Sequence, residues 1–130
     1  MEIYPNSPMT AYPPSGNCRT IYGDPSGART TPVIMEWELV QGEFSDEHPY
    51  DEINFVLDGE LHVESEGECV VAQQGDTVRV LAGSIGVYRA PRYARMLLVY
   101  DHNPFGVETA VHFNRSLRST SENESSTVSA

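Results

Sequence analysis

From residue 33 onward the chain is written in short β-rich runs separated by turn signals, and that rhythm constrains the fold more than any other feature. "VIMEWELV" gives way to "QGEFSDEHPY", "EINFVL" meets "DG", and "ELHVES" meets "EG". "CVVA", "TVRVL", "IGVYR", "ARMLLVY" and "VETAVHF" follow, with "QQGD", "AGS", "APRY" and "DHNPFG" between them. No segment carries a convincing amphipathic helical period. Many short strands at near-regular spacing predict an all-β chain, folded as an antiparallel sandwich or barrel. Asp58-Gly59 between two such runs predicts a hairpin, because both positions of the tight turn need positive φ.

Period-two alternation sharpens the prediction. On "EINFVL" one face is Glu52, Asn54 and Val56, and the other is Ile53, Phe55 and Leu57. On "RMLLVY" Met96, Leu98 and Tyr100 oppose Leu97 and Val99. Neither strand has a properly polar face, so both faces are expected to be covered. A small barrel has one inside only. The outer cover is expected to be the N-terminal segment, a second subunit, or both, and a homodimer follows.

The length of 130 residues allows one domain of ordinary size. Three stretches are expected: 1–32, rich in Pro, Gly, Ser and Thr, as an extended segment lying on the barrel or a partner; 33–113 as the barrel; and 114–130 as a disordered polar tail. Within the first stretch "CRTIYG" reads as one short strand. Nineteen acidic residues against eight basic ones give a net charge of −11, which repels phosphate backbones and anionic lipid. Nucleic acid and membrane are therefore not expected partners, and a small-molecule substrate is. "MEIYPNSPMTAYPPSG" has neither the basic start nor the apolar core of a secretory signal, and Cys18 and Cys69 lack paired spacing. A cytoplasmic chain with reduced, half-buried thiols is the expectation.

Two segments resemble the cupin family of double-stranded β-helix (jelly-roll) barrels. The family's first motif is a glycine, five residues, HxH, three or four residues, a glutamate, six residues and a glycine. "GEFSDEHPYDEINFVLDG" supplies Gly42, His48, Glu52 and Gly59. Counted back from Glu52 the HxH pair falls on Asp46 and His48; counted forward from Gly42 it falls on His48 and Tyr50. In the second motif Gly75, Asp76 and Gly83 are in place, Leu81 replaces the usual proline, and Gly86 stands at the histidine position. Within cupins, "YDEINFVLDGEL" and "GDTVRVLAGSIGVY" are most similar to the EutQ-like subgroup of ethanolamine utilisation. The resemblance implies a barrel and leaves function open, because the cupin barrel hosts many chemistries.

At the family position Glu52 faces inward with Asn54, and Ser84, Gly86 and Tyr88 share the matching face of the second-motif strand. The pocket so implied holds a carboxyl, an imidazole, a carboxamide, a phenol, and space at Gly86 where a histidine is missing. Glu52, His48 and Tyr88 are the expected catalytic groups, with His48 biased by its carboxylate neighbours towards holding its proton. Tyr50, Asn54, Arg79, Ser84, Gly86 and Trp37 are the expected substrate contacts, although Trp37 shares a face with Met35 and Leu39 and a residue so placed is more often core than ligand platform. Asp51 and Glu47 read as a solvated acidic loop. The leading expectation is a lyase, isomerase or cyclase working by general acid/base catalysis without a cofactor. The alternatives are a metal-dependent, oxygenase-like cupin using a divalent metal on His48, Glu52 and Asp46, and a non-catalytic binding or accessory protein. A fuller metal set would need His62, His102 or His112.

Overall fold

The computed structural model describes residues 1–118. Its strands are β1 (Thr10–Tyr12), β2 (Gly16–Tyr22), β3 (Val33–Glu47), β4 (Glu52–Ser65), β5 (Glu68–Gln73), β6 (Thr77–Val80), β7 (Ile85–Tyr100) and β8 (Ala110–Ser116). Among the described residues no helix is long and apolar enough to cross a membrane. All pairing between strands is antiparallel. β7 lies between β3 and β4 along nearly its whole length. The far edge of β3 takes β2 on its first half and β8 on its second, while β4 takes β6 and then β5. This is the cupin architecture, with the N-terminal segment adding two strands to one edge.

The three long strands depart from the expected pattern of short ones, and the reason is local. Asp58-Gly59 makes no hairpin. β4 runs straight through it, with Asp58 opposite Arg95 and Gly59 opposite Ala94, and the register slips on either side. "APRY" likewise lies inside β7, where the register with β3 jumps between the Val40–Tyr93 and Gly42–Ala90 pairs. Gln41, at φ 46°, and Gly59, at φ 80°, supply the left-handed residues of these bends. Bulges of this kind turn a sheet round a barrel corner, and a central proline is tolerated there because the ladder is already broken. "EG" does form the expected turn: Glu66 and Gly67 both have positive φ and Ser65 pairs with Glu68.

The core fills the barrel with Leu39, Val56, Leu61, Tyr88, Ala90 and Met96, all nearly or wholly buried. Glu52, Asn54 and Val56 share one face as the alternation predicts and point inward as the cupin resemblance implies, and Phe55 points out at 38% exposure. Residues 6, 7 and 9 border a groove on the outer face beside Arg19, Glu36 and Arg95, so the N-terminal segment lies partly on the barrel. There Arg19 and Arg95 hold the buried Glu36 carboxylate at 2.7 and 3.0 Å. The expected tail boundary moves: Asn114–Ser116 belong to β8, and Leu117 N–H donates to the Gln41 carbonyl. Residues 119–130 of that expected tail lie outside the described residues. Both cysteines are free, with Cys69 exposed on β5 rather than half-buried.

Candidate active site

β3 ends and β4 begins at one mouth of the barrel, and the turn between them carries the acidic cluster. Asp46 lies on β3, Glu52 opens β4, and His48 sits in the connection, its carbonyl accepting the Gly83 N–H at 2.8 Å. All three side chains are buried. His48 Nε2 lies 2.7 Å from Asp46 Oδ2 and 2.9 Å from Glu52 Oε2, yet its N–H points along neither line. The other ring nitrogen is 2.7 Å from Thr109 Oγ1, which also meets the Tyr50 hydroxyl at 3.2 Å. Of the two ways of counting the first motif, the one that pairs Asp46 with His48 matches the convergence. Tyr50 instead stacks on the His48 ring, with centroids 4.9 Å apart.

A relay of hydrogen bonds fixes Glu52. Asn54 Nδ2 donates to Oε1 at 3.0 Å and Tyr88 OH donates to Oε2 at 2.9 Å. Asn54 is itself oriented by Trp37 Nε1, which donates to its Oδ1 at 2.8 Å. Asp46 lacks such support: Oδ2 meets His48 by charge contact alone, and Oδ1 is buried without a donor. These groups meet a cavity of about 300 Å³. Asp46, His48 and Glu52 border it beside the aromatic rings of Tyr12, Trp37, Phe44, Tyr50 and Tyr100.

The electrostatics follow from burial and proximity. Burial alone works to lower the His48 pKa, but the contacts with Asp46 and Glu52 outweigh it and lift the imidazole to about 9. The ring is therefore protonated at neutral pH, as its carboxylate neighbours predict. Burial, assisted by the Glu52 charge, raises the Asp46 pKa from its ordinary value against the pull of His48. Burial also raises Tyr50, Tyr88 and Tyr100, and the nearby carboxylates add to the shift, so these phenols stay protonated.

Several expected contacts lie elsewhere. Arg79 pairs with Ile53 and so projects from the outer face, exposed, away from Glu52. Ser84 is buried in the turn before β7, its N–H donating to Leu81, and does not border the cavity. Gly86 opens no space for substrate. A Cβ there would lie 2.8 Å from the Tyr88 hydroxyl, so the room left by the absent histidine is taken by the phenol. Tyr88 in turn does not border the cavity; it stands behind Glu52 as a donor. Asn54 is likewise wholly buried behind the cavity wall. Asp51 is more than a solvated loop residue, since its Oδ1 accepts the Ala82 N–H at 2.8 Å.

His62, His102 and His112 do not join the cluster. His62 and His102 pair with Glu60 and Asp101, and His112 is exposed on β8. The residues that sequence reasoning missed are Thr109 and Arg29. Thr109 precedes β8, and Arg29 packs over the Tyr50 ring at 4.6 Å and bridges Asn103 through its backbone. Nothing in "GARTT" or "GVETA" signals that role, because it depends on two loops distant in sequence meeting at the mouth.

Comparison with known proteins agrees with this fold. The Salmonella typhimurium protein named acetate kinase EutQ is 46% identical over 50 residues, which are 38% of this chain and 22% of that protein. The chain spans about a quarter of the length of the curated relatives it matches. The structure of the Clostridium difficile EutQ protein superposes with a TM-score of 0.58 at 24% identity, covering 67% of this chain and 68% of that one. DMSP lyase DddQ from Ruegeria pomeroyi gives a TM-score of 0.62 at 20% identity, over 74% of this chain and 51% of that one. The family model described as ethanolamine utilisation protein EutQ matches residues 13–104, all of β2 and most of the barrel, and the chain belongs to that family.

Proposed function

We propose that this chain is a cytoplasmic cupin enzyme that moves protons on a small organic metabolite, in lyase, isomerase or cyclase chemistry. One observation carries the reading: on the wall of an aromatic-lined cavity open to one side, a single imidazole is in contact with two buried carboxylates, at 2.7 and 2.9 Å. His48, protonated at neutral pH, is the proton donor. Glu52, fixed from behind by Asn54 and Tyr88, accepts and returns the proton through Oε2. Tyr88 and Asn54 are positioning residues, and Tyr50 with Trp37 forms the wall against which substrate lies. The lyase named among the structural neighbours is consistent with this reaction class. The relatives' phosphoryl chemistry is not carried over: no arginine borders the cavity among the described residues, the chain has no lysine, and two carboxyls repel a phosphate. Turnover in Glu52→Gln and His48→Ala, with folding checked by circular dichroism, tests the proposal; full turnover in both would remove it.

A second reading rests on the same cluster. The ligand atoms of Asp46, His48 and Glu52 lie within 4.8 Å of one another, and the unpartnered Asp46 Oδ1 fits a cation. One nitrogen and two carboxylates suit an oxygen-preferring divalent ion such as Mn²⁺, which would supply a Lewis acid for a substrate oxygen. His48 can ligate only after losing its proton. With its pKa at about 9, Mn²⁺ affinity is expected to rise roughly tenfold per pH unit up to about 9 and then level. Calorimetric titration at three pH values checks this, and a flat profile would exclude His48 as a ligand.

The outer sheet supports a homodimer. Phe55 is 38% exposed there, beside the half-buried Ile53 and Leu57 on β4 and Leu97 and Val99 on the neighbouring β7. Phe55→Asp is expected to weaken self-association at least tenfold in sedimentation runs over a concentration series; an unchanged profile would place the interface elsewhere.

A further inference from the structure

The cavity presents rings to a ligand, and its charges are turned on one another. Five of the lining residues are aromatic, and Met35, Leu39 and Leu98 add aliphatic surface. Neighbouring rings meet at steep angles: Trp37 and Phe44 at 66° with centroids 6.1 Å apart, Tyr50 and Tyr100 at 60° and 5.0 Å. Walls set in this way offer both ring faces and ring edges, as a further aromatic ring requires for edge-to-face contact. An apolar cavity of roughly 150 Å³ already admits benzene, so about 300 Å³ has room for one ring with a small substituent.

Among the described residues the charged groups that border the cavity are Asp46, His48 and Glu52. Their exposures are 3, 6 and 3%, and the imidazole contacts both carboxyls. Glu52 also accepts from Asn54 and Tyr88. Arg29 sets a further positive group over the Tyr50 ring at 4.6 Å, and His48 is stacked on the same ring. Two carboxyls thus stand against an imidazole and a guanidinium, and no charge is left over for a ligand. The cation–π capacity of Tyr50 is taken by Arg29 as well. An ion of either sign entering here would give up its hydration and meet only groups already paired. An uncharged ligand gives up little and gains the apolar contact.

We propose that the ligand of this cavity is an uncharged compound built on a single aromatic ring, held among Trp37, Phe44 and Tyr100 with its one polar substituent towards Glu52. The role of Glu52 rests on the catalytic reading of this cavity, for which the inference names the substrate class. The class itself rests on the walls and on the pairing of the charges.

The test is a series of probes of similar size on the intact chain, stripped of divalent ions, at neutral pH. Benzyl alcohol, benzylammonium, benzoate and cyclohexylmethanol are each titrated and followed by amide NMR shifts. Benzyl alcohol is expected to bind at least tenfold tighter than either ion and at least threefold tighter than cyclohexylmethanol. Its ring protons are expected to give NOEs to the side chains of Trp37 and Leu98. Either ion binding as tightly as benzyl alcohol would overturn the proposal, and so would equal binding of the saturated ring. Absence of benzyl alcohol binding at about 10 mM, where a millimolar Kd gives near saturation, would overturn it too. So would NOEs confined to residues outside the cavity. The series involves no turnover. Full activity in Glu52→Gln and His48→Ala beside a retained preference for benzyl alcohol would remove the catalytic assignment and leave the ligand class standing.

Discussion

Glu52→Gln is expected to lower turnover by about 10² to 10⁴, the range general acid/base groups contribute. The substitution keeps size and shape: Asn54 Nδ2, which donates to Glu52 Oε1, can donate to the amide oxygen instead, and Tyr88, which donates to Oε2, has to turn its hydroxyl to accept from the amide nitrogen. What it removes is a charge 2.9 Å from His48 Nε2. Two consequences follow together. The proton acceptor is lost, and one of the two contacts that lift His48 to about 9 goes with it. The His48 pKa is therefore expected to fall, because its burial, which works downward, is then opposed by Asp46 alone. His48 should begin to lose its proton at lower pH than in the parent chain. The NMR titration of the ring reads this directly, separately from rate. A variant that turns over normally, or in which the imidazole titrates as before, would mean that Glu52 neither transfers protons nor charges the ring.

Gly59→Ala carries the largest expected effect on stability, about 3–5 kcal/mol. Gly59 stands at φ 80°, where a side chain is strained. A Cβ there would also run into the Tyr93 carbonyl oxygen and lie 2.8 Å from its carbon, with Ala94 Cα at 3.1 Å. Those are backbone atoms of the neighbouring strand, so relief requires β4 and β7 to separate at the corner. Gly67→Ala is the control. Its φ of 76° is similar, but a Cβ there meets nothing within 4 Å, so only the conformational cost of about 1 kcal/mol remains. Thermal or urea unfolding of the two variants compares them, and equal losses would mean that the corner yields without cost.

That pair of glycines shows where sequence reading stopped. "DG" and "EG" look alike to a local rule, because both offer positive φ between β-rich runs. One closes a hairpin and the other bends a continuous strand, and the difference is whether a third strand lies alongside. β7 runs past Gly59 and holds both halves of β4 in one ladder. No property of residues 52–65 alone reveals that neighbour. Alternation, by contrast, was legible: Glu52, Asn54 and Val56 share the inner face because side-chain period in a strand is a fact of the backbone.

The site divides in the same way. The sequence by itself determined an all-β antiparallel fold and a His48 kept protonated by its carboxylate neighbours, since these follow from period, spacing and short-range charge; the resemblance to cupins added the barrel and an inward Glu52. Only the tertiary structure decided that Tyr88 fills the space at Gly86, that Arg79 faces out, and that Thr109 caps the imidazole. It also left one oxygen of Asp46 without a donor. Those outcomes depend on which strands are neighbours and in what register, and a register is a property of pairs of segments that the chain acquires only when they meet.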